Sequence, residues 1–125
     1  IEFFVQKGRL IANEIAPRVH NSGHWTIEGA VTSQFENHLR AIAGLPLGST
    51  RAVGHSAMIN LIGSLPHASV ALAQTGVHWH DYRKEPRVGR KLGHITLVRT
   101  TASQRDVAAR SLLKQVDRET WVSFQ

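Results

Sequence analysis

Two glutamates near the start of the chain have the spacing of a metal-binding carboxylate pair. Gly8 lies halfway between Glu2 and Glu14, in a turn signal that separates two short apolar runs. Such runs around a glycine turn predict a β-hairpin, and Glu2 is expected directly opposite Glu14 across its ladder. Like charges in that position repel each other unless a cation neutralises them, and Mg²⁺ prefers carboxylate and phosphate oxygens. The pair therefore predicts a magnesium site, with two solvent-exposed glutamates at a hairpin edge as the open alternative.

A polar loop rich in hydrogen-bond donors follows the hairpin. Residues 18–24 read Arg-Val-His-Asn-Ser-Gly-His, with one fixed positive charge and a glycine that lets backbone approach a ligand. Such a loop suits a small anion or a phosphorylated intermediate. The alternative is a solvated loop that hydrogen-bonds to itself. Asn13, next to Glu14, is a further polar candidate on the preceding strand.

A second cluster of charge lies at residues 83–91, where five of nine residues are basic. Pro86 and Gly89 punctuate this segment and give its charges fixed directions. A Lys point charge and an Arg fork together bind a phosphate monoester well. An exposed basic loop without a ligand is the alternative.

The eight histidines invite a metal interpretation, but their spacing does not support one strongly. His78 and His80 share one face of a predicted strand, and His20 and His24 share a loop. A structural zinc site needs four ligands with a recognisable spacing, and no further ligands can be assigned here. Hydrogen bonding in the core or in loops is the expected role.

Short alternating elements must position these candidates. Periodicity and turn signals predict strands at 1–6, 10–15, 50–62, 77–82 and 92–99, and helices at 34–43, 66–73 and 103–116, with one or two helical turns at 26–31. Ser33 is expected to cap the helix at 34–43 and Glu36 to complete a capping box. Gly54 is expected to bulge the long strand, and Val107 to lie near the apolar face of the last helix. Residues 117–125 are left unassigned.

These elements predict an α+β fold in two parts. Residues 1–44 form a hairpin, a loop and a helix, and residues 45–125 form a small mixed unit of about three strands and two helices. A length of 125 residues and a hydrophobic share of 42% suit a folded globular chain.

Charge and cysteine usage narrow the function classes. The formal net charge of +6 favours a phosphate-rich partner, which is a nucleic acid, a membrane surface or a phosphorylated small molecule. A soluble domain that is basic without such a partner is the alternative. The chain has no cysteine, which excludes a disulfide framework, a thiolate metal site and a cysteine nucleophile. No apolar run approaches the roughly 20 residues that cross a bilayer, and no aromatic platform of the single-strand-binding type is interleaved with the charges.

A run of motifs in fixed order resembles the 5-(carboxyamino)imidazole ribonucleotide synthases of the ATP-grasp superfamily. The resemblance begins with Asn-Glu-Ile-Ala-Pro-Arg-Val-His-Asn-Ser-Gly-His-Trp-Thr and covers most of residues 1–100. It is carried by residues 13–26, 32–41, 44–48, 58–63 and 89–95.

The resemblance implies a fold, a reaction and a set of site residues. Residues 1–44 would be the C-terminal portion of an ATP-grasp domain and residues 45–125 a small C-terminal domain. The family uses ATP and Mg²⁺ to carboxylate 5-aminoimidazole ribonucleotide with bicarbonate, through carboxyphosphate, in purine synthesis. By position, the resemblance assigns metal binding to Glu2 and Glu14, ATP contact to Asn13 and Glu14, the reacting centre to Arg18, His20 and Asn21, and the ribonucleotide phosphate to Lys84 and Arg90. Arg83 stands where glycine is common in relatives.

The family's upstream regions supply the adenine pocket and further substrate contacts. Because the sequence begins at Ile1 inside a predicted strand, we expect it to be a fragment without ATPase activity of its own. A cytoplasmic homodimer with no nucleic-acid or membrane partner is expected of the parent protein. Another ATP-grasp carboxylase or formate ligase of purine synthesis and a basic nucleic-acid-binding module are the alternatives.

Overall fold

A computed structural model describes residues 1–116 and 122–124. In chain order its elements are β1 (Glu2–Gln6), β2 (Arg9–Glu14), a 3-10 turn (Asn21–Gly23), α1 (Thr26–Gly29), α2 (Gln34–Ile42), β3 (His55–Ile62), α3 (Ala68–Leu72), β4 (Val77–Asp81), β5 (Lys91–Arg99), α4 (Ala102–Leu113) and β6 (Val122–Phe124). Among the residues that the structure describes, no helix is long and apolar enough to cross a membrane.

The first two strands form the predicted hairpin, and Glu2 pairs with Glu14. The expected reason for that pairing, a turn centred on Gly8, is wrong. Lys7 and Gly8 both take positive φ, 50° and 75°, so the turn is a two-residue type I′ loop centred between them. A register shift between Glu2 and Phe3 then restores the alignment of the two glutamates.

The remaining strands form one antiparallel sheet in the order β4-β5-β3-β6. Three of them lie where the sequence predicted strands, although the long strand predicted at 50–62 begins only at His55. Gly54 does not bulge it. A side chain at Gly54 would press on the Arg99 carbonyl, so glycine lets the chain enter β3 close to the end of β5. The fourth strand, β6, comes from the segment that the sequence left unassigned.

The sheet buries two faces of different character. One face packs against α3 and α4 through an apolar cluster of Ala57, Ile59, Leu61, Ala71, Val77, Ile95, Leu97, Ala109 and Leu112. The alternate residues of the same strands include buried polar side chains, namely Ser56, Asn60, His94 and Thr96. Segment 20–29 covers part of this second face, because Gly29 contacts Ser56 and His24 lies 5.5 Å, ring centroid to centroid, from His94.

The helix caps agree with the sequence only in part. Ser33 Oγ accepts the Glu36 N–H at 3.1 Å, which confirms the predicted start of α2. The Glu36 carboxylate pairs with Arg40 at 2.6 Å one turn later, so its predicted part in a capping box is wrong. Val107 is 67% exposed on α4, and its predicted position on the apolar face is also wrong.

Candidate functional site

The hairpin brings both predicted metal-binding acids to one imidazole. His20 Nε2 lies 2.7 Å from Glu14 Oε1, and His20 Nδ1 lies 3.4 Å from Glu2 Oε1. Glu2, Glu14 and His20 can each point one ligand atom into a space where all three atoms lie within 4.8 Å of one another. Asn13 Nδ2 donates to the second carboxylate oxygen of Glu2. Four residues that the sequence singled out separately therefore meet at one point, where the ladder bulges.

Hydrogen bonds at this cluster reduce the repulsion between the facing glutamates, and one of them comes from the His20 ring. Two carboxylates at one rung of a ladder repel each other. Here His20 Nε2 hydrogen-bonds to Glu14 and the Asn13 amide donates to Glu2, so part of the repulsion is relieved by one hydrogen bond to each acid. Both acids keep oxygens for a cation, which would compete with His20 for them.

Segment 20–26 is hydrogen-bonded to the first residue of α2, Gln34, and these bonds hold His20 in place. The backbone N–H of His20 donates to Gln34 Oε1 at 2.8 Å, and the Ser22 N–H donates to His20 Nδ1 at 3.2 Å. Thr26 Oγ1 donates to the Gly23 carbonyl at 2.5 Å and accepts the Gln34 N–H at 2.8 Å. A side chain at Gly23 would overlap the Gln34 amide, so the glycine is needed for this close approach.

The other two loop candidates are placed less directly. The Arg18 guanidinium donates back to the Val19 carbonyl at 3.0 Å. Arg18 also lines a pocket of about 310 Å³ beside α2, whose lining contains neither Glu2 nor Glu14. Asn21 Oδ1 is buried without a hydrogen-bond partner, next to His20 in the chain. Asn21 thus has acceptor capacity near the cluster, whereas Arg18 points elsewhere in this structure.

The basic loop begins with a backbone kink at Arg83. Arg83 takes φ of 53°, and its N–H donates to Asp81 Oδ1 at 2.7 Å. Glycine adopts such a conformation without steric cost, whereas a residue with a side chain is strained there. The kink places Lys84 Nζ 5.1 Å from the centroid of the Tyr82 ring. Arg90 Nη1 donates to the Glu85 carbonyl at 3.3 Å, so the loop closes on itself.

Lys91 connects the two halves of the predicted site. Burial, then the charge of Lys84, lowers the pKa of Lys91, while the charge of Glu2 opposes that shift. Lys91 therefore lies within electrostatic reach of both Glu2 and Lys84. It is the first residue of β5, and the sequence indicated no role for it beyond membership of the basic segment.

A group of half-buried aromatic and acidic side chains surrounds the buried His94 on the polar face of the sheet. Tyr82 Oη is 2.7 Å from His94 Nδ1 and 3.0 Å from His24 Nδ1. The His80 ring stacks on His94 at 4.2 Å, and His80 Nε2 lies 2.6 Å from Glu28 Oε1. Burial is the largest cause of the lowered pKa of His24, and it lowers the pKa of His94 to about 3. These residues are held by hydrogen bonds and stacking on the polar face of the sheet.

Comparison with known proteins matches two stretches of the chain to two family models. Residues 1–35 match the ATP-grasp domain family, and residues 56–108 match the phosphoribosylaminoimidazole carboxylase C-terminal domain family. The N5-carboxyaminoimidazole ribonucleotide synthase of Pseudomonas aeruginosa is 65% identical over 96 residues, which is 77% of this chain. The Escherichia coli enzyme of the same name is 47% identical over 114 residues, or 90% of this chain. The chain belongs to the N5-carboxyaminoimidazole ribonucleotide synthase family.

Solved structures of N5-carboxyaminoimidazole ribonucleotide synthases share this fold. That of Thermus thermophilus is 55% identical, with a TM-score of 0.87 over 93% of this chain. That of Aspergillus clavatus, in complex with ADP and 5-aminoimidazole ribonucleotide, is 39% identical with a TM-score of 0.83. These likenesses confirm the predicted α+β fold, the end of an ATP-grasp domain followed by a small mixed unit.

The chain spans only part of its relatives in the synthase family. It covers 27% of the Pseudomonas aeruginosa protein, 32% of the Thermus thermophilus chain and 34% of the Aspergillus clavatus chain. The division at residues 44 and 45 and the roles of the individual site residues stay predictions.

Sequence reasoning did not find Tyr82, His94 or Glu28 as members of the site. Alternation along β4 did place His80 and Tyr82 on one face, opposite Trp79. The missing information was the pairing of β4 with β5, which sets His80 beside His94. The available signal was a polar side chain, His80 on β4 and His94 on β5, among the residues that alternate with the apolar ones. Such residues indicate a polar face of the sheet.

Proposed function

We propose that this chain is the C-terminal part of an ATP-dependent ligase that carboxylates 5-aminoimidazole ribonucleotide with bicarbonate in purine synthesis. The observation that carries the proposal is the meeting of Glu2, Glu14 and His20, with Lys91 within electrostatic reach of both Glu2 and Lys84. The charges of both the hairpin acid Glu2 and the basic-loop residue Lys84 thus act on Lys91. The family of the chain supports the same reaction.

Glu2 and Glu14 would hold Mg²⁺, and Asn13 with Glu14 would contact ATP. The donor set suits this cation, because two carboxylates converge at one rung of the hairpin and keep oxygens for it. When bound, Mg²⁺ neutralises charge on the phosphates during phosphoryl transfer. The hairpin's part is to hold the two acids at a fixed separation, which the type I′ turn and the bulge set.

His20 and Asn21 would bind the bicarbonate-derived anion at the loop. Gln34 holds the His20 backbone and Ser22 holds its ring, and the unpaired Asn21 oxygen can accept a hydrogen bond from a protonated oxygen of the ligand. Arg18 would join them by leaving the Val19 carbonyl, which costs one exposed hydrogen bond. Carboxyphosphate formed from ATP and bicarbonate is the intermediate that these residues would hold.

Lys84 and Arg90 would bind the 5′-phosphate of the ribonucleotide. Lys84 supplies a point charge and Arg90 a planar fork, which together suit a phosphate monoester. Arg90 reaches the ligand once it leaves the Glu85 carbonyl. We propose the cytoplasm as the location and a homodimer as the assembly of the parent protein.

Substrate-dependent phosphate release tests this function. The full-length protein that contains this chain should release phosphate from ATP only when both 5-aminoimidazole ribonucleotide and bicarbonate are present. Residues 1–125 alone should release none above background, because they cover about a third or less of each relative. Release with formate in place of bicarbonate would assign a different ligase, and turnover by the isolated chain would contradict the proposed division of the site.

A further inference from the structure

Tyr82 touches both halves of the proposed site. Its hydroxyl lies 3.0 Å from Nδ1 of His24, which directly follows the 3-10 turn that carries Asn21. Its ring lies 5.1 Å from Lys84 Nζ, a cation–π distance. Tyr82 thus contacts both the loop at residues 18–24 and the basic loop at residues 83–91. The side chain is half-buried, at the point where β4 ends.

The loop has a second anchor on the same sheet. His80 on β4 pairs with Glu28 on α1 at 2.6 Å, and its ring stacks on His94 at an interplanar angle of 12°. Both anchors tie segment 20–29 to β4 and β5, over sequence separations of 58 and 52 residues. Fixing two points of a short segment restricts its rotation as well as its distance from the sheet.

The protons of the Tyr82 anchor can be assigned from its surroundings. Burial raises the pKa of Tyr82 to about 12, so the hydroxyl keeps its proton and can donate one hydrogen bond only. His94 Nε2 is buried without a partner, and an unpaired buried N–H is rarer than an unpaired acceptor. The arrangement that avoids it has His94 Nδ1–H donating to Tyr82 and the Tyr82 hydroxyl donating to His24 Nδ1. The result is a directed chain from β5 to the loop.

We propose that Tyr82 is a positioning residue that holds the loop of His20 and Asn21 in register with Lys84. Its hydroxyl acts on the loop through His24, and its ring acts on Lys84 directly. The inference rests on the proposed function, because the two halves need a fixed separation only if the ribonucleotide held at Lys84 reacts with the anion held at the loop of His20. The hydroxyl contacts His24 and the ring contacts Lys84, so two different substitutions can test the two contacts separately.

Tyr82→Phe removes the hydroxyl and keeps the ring, whereas Tyr82→Leu removes both. In the full-length protein we expect Tyr82→Phe to lower kcat about tenfold, the scale of one hydrogen bond of about 1.4 kcal/mol. The KM for the ribonucleotide should stay within about twofold, since Lys84 keeps its support. Tyr82→Leu should lower kcat equally and also raise that KM by about three- to tenfold. His78→Ala, at an exposed position of the same strand, is the matched control and should match the unsubstituted protein.

Wild-type kcat and KM in Tyr82→Phe would overturn the proposal, and so would equal changes in the two variants. A purely structural role would lower the amount of active protein in both variants and leave the KM untouched.

Histidine-ring NMR of the same full-length variants gives a readout that needs no turnover. The ring signal of His20 should shift in Tyr82→Phe together with those of His24 and His94, and an unchanged His20 signal would count against coupling. If the unsubstituted protein did not respond to the ribonucleotide, the proposed function would fail, and the NMR result would still decide the role of Tyr82.

Discussion

The two faces of the central sheet are made by alternate residues of the same strands, yet they differ in almost every physical respect. Ile59, Ile95 and Leu97 face α3 and α4 and are fully buried in an apolar cluster. Asn60, His94 and Thr96 are as deeply buried on the opposite face, but each has a polar atom without a hydrogen-bond partner. An unpaired buried polar group costs free energy. The apolar face therefore stabilises the fold, whereas the unpaired polar atoms of the other face, beneath the candidate site, lower its stability.

The largest expected effect lies on the apolar face, at Ile95. Ile95→Ala should lower the free energy of unfolding by about 2–5 kcal/mol, because it leaves a cavity in a packed cluster. Urea denaturation of the protein and its variant measures this loss. Ile95→Val removes one methylene and should cost about 0.5–1.5 kcal/mol, which provides a graded control. A loss below 1 kcal/mol for the alanine variant would mean that this face is not the main source of stability.

The next effect is a pH dependence that only the polar face should produce. Burial, with the charges of His80 and Lys91, lowers the folded-state pKa of both His24 and His94 below the ordinary 6.5. Below pH 6.5 the unfolded chain binds protons that the folded chain does not, so the free energy of unfolding should fall as the pH drops from 6.5 toward 3. Each such histidine contributes about 1.4 kcal/mol per pH unit within its own window, and nothing above pH 6.5.

Urea denaturation at pH 7.5 and pH 5.5 measures this slope. His94→Gln removes one of the titrating rings and should flatten the dependence, whereas His78→Gln, at an exposed position of the same sheet, should leave it steep. Equal slopes in the unsubstituted protein and in His94→Gln would show that the buried ring takes up protons readily. The polar face would then not differ from the apolar face in its contribution to the pH dependence of stability.

The smallest expected effect is a gain in stability at Thr96, next to Ile95 in the chain. Thr96→Val keeps nearly the same shape and removes a buried hydroxyl that has no partner, so the free energy of unfolding should rise by about 1 kcal/mol. The same denaturation experiment detects it. A loss of more than 1 kcal/mol would show that the hydroxyl is satisfied, for example by a buried water. Neighbouring residues of one strand would thus report opposite signs for the two faces.

Much of the fold could be predicted from the sequence because local signals were strong. The glycine turn at Gly8 and the cap at Ser33 fix a hairpin and a helix through short-range sterics and hydrogen bonds, and both are where they were expected. The entry to β3 was predicted too early, because residues 49–53 have strand-like composition but hydrogen-bond to residues 29–32 instead of joining the four-stranded sheet. The apolar face of α4 was also misjudged at Val107, since one helix turn alone does not show which side meets the sheet.

The two acids of the candidate site could be predicted from the sequence, but the residues that hold its loop in place could not. Glu2 and Glu14 lie on strands joined by one turn, so their proximity followed from local geometry, but the register shift that sets them opposite each other did not. Tyr82, His94 and Glu28 come from separate elements, and only the tertiary pairing of β4 with β5 and the packing of α1 bring them together. The facing acids were expected to need a cation, and the structure adds the His20 ring between them.

The most direct test of the central claim is Mn²⁺ binding, as a paramagnetic stand-in for Mg²⁺, to the full-length protein with ATP present. Electron paramagnetic resonance titration should show the affinity falling at least tenfold in Glu2→Gln and in Glu14→Gln, because each loses one of two converging carboxylates. Glu36→Gln, which only loses an exposed pair with Arg40, should bind as the unsubstituted protein does. Unchanged affinity in both hairpin variants would contradict the account, since the facing glutamates would then hold no cation.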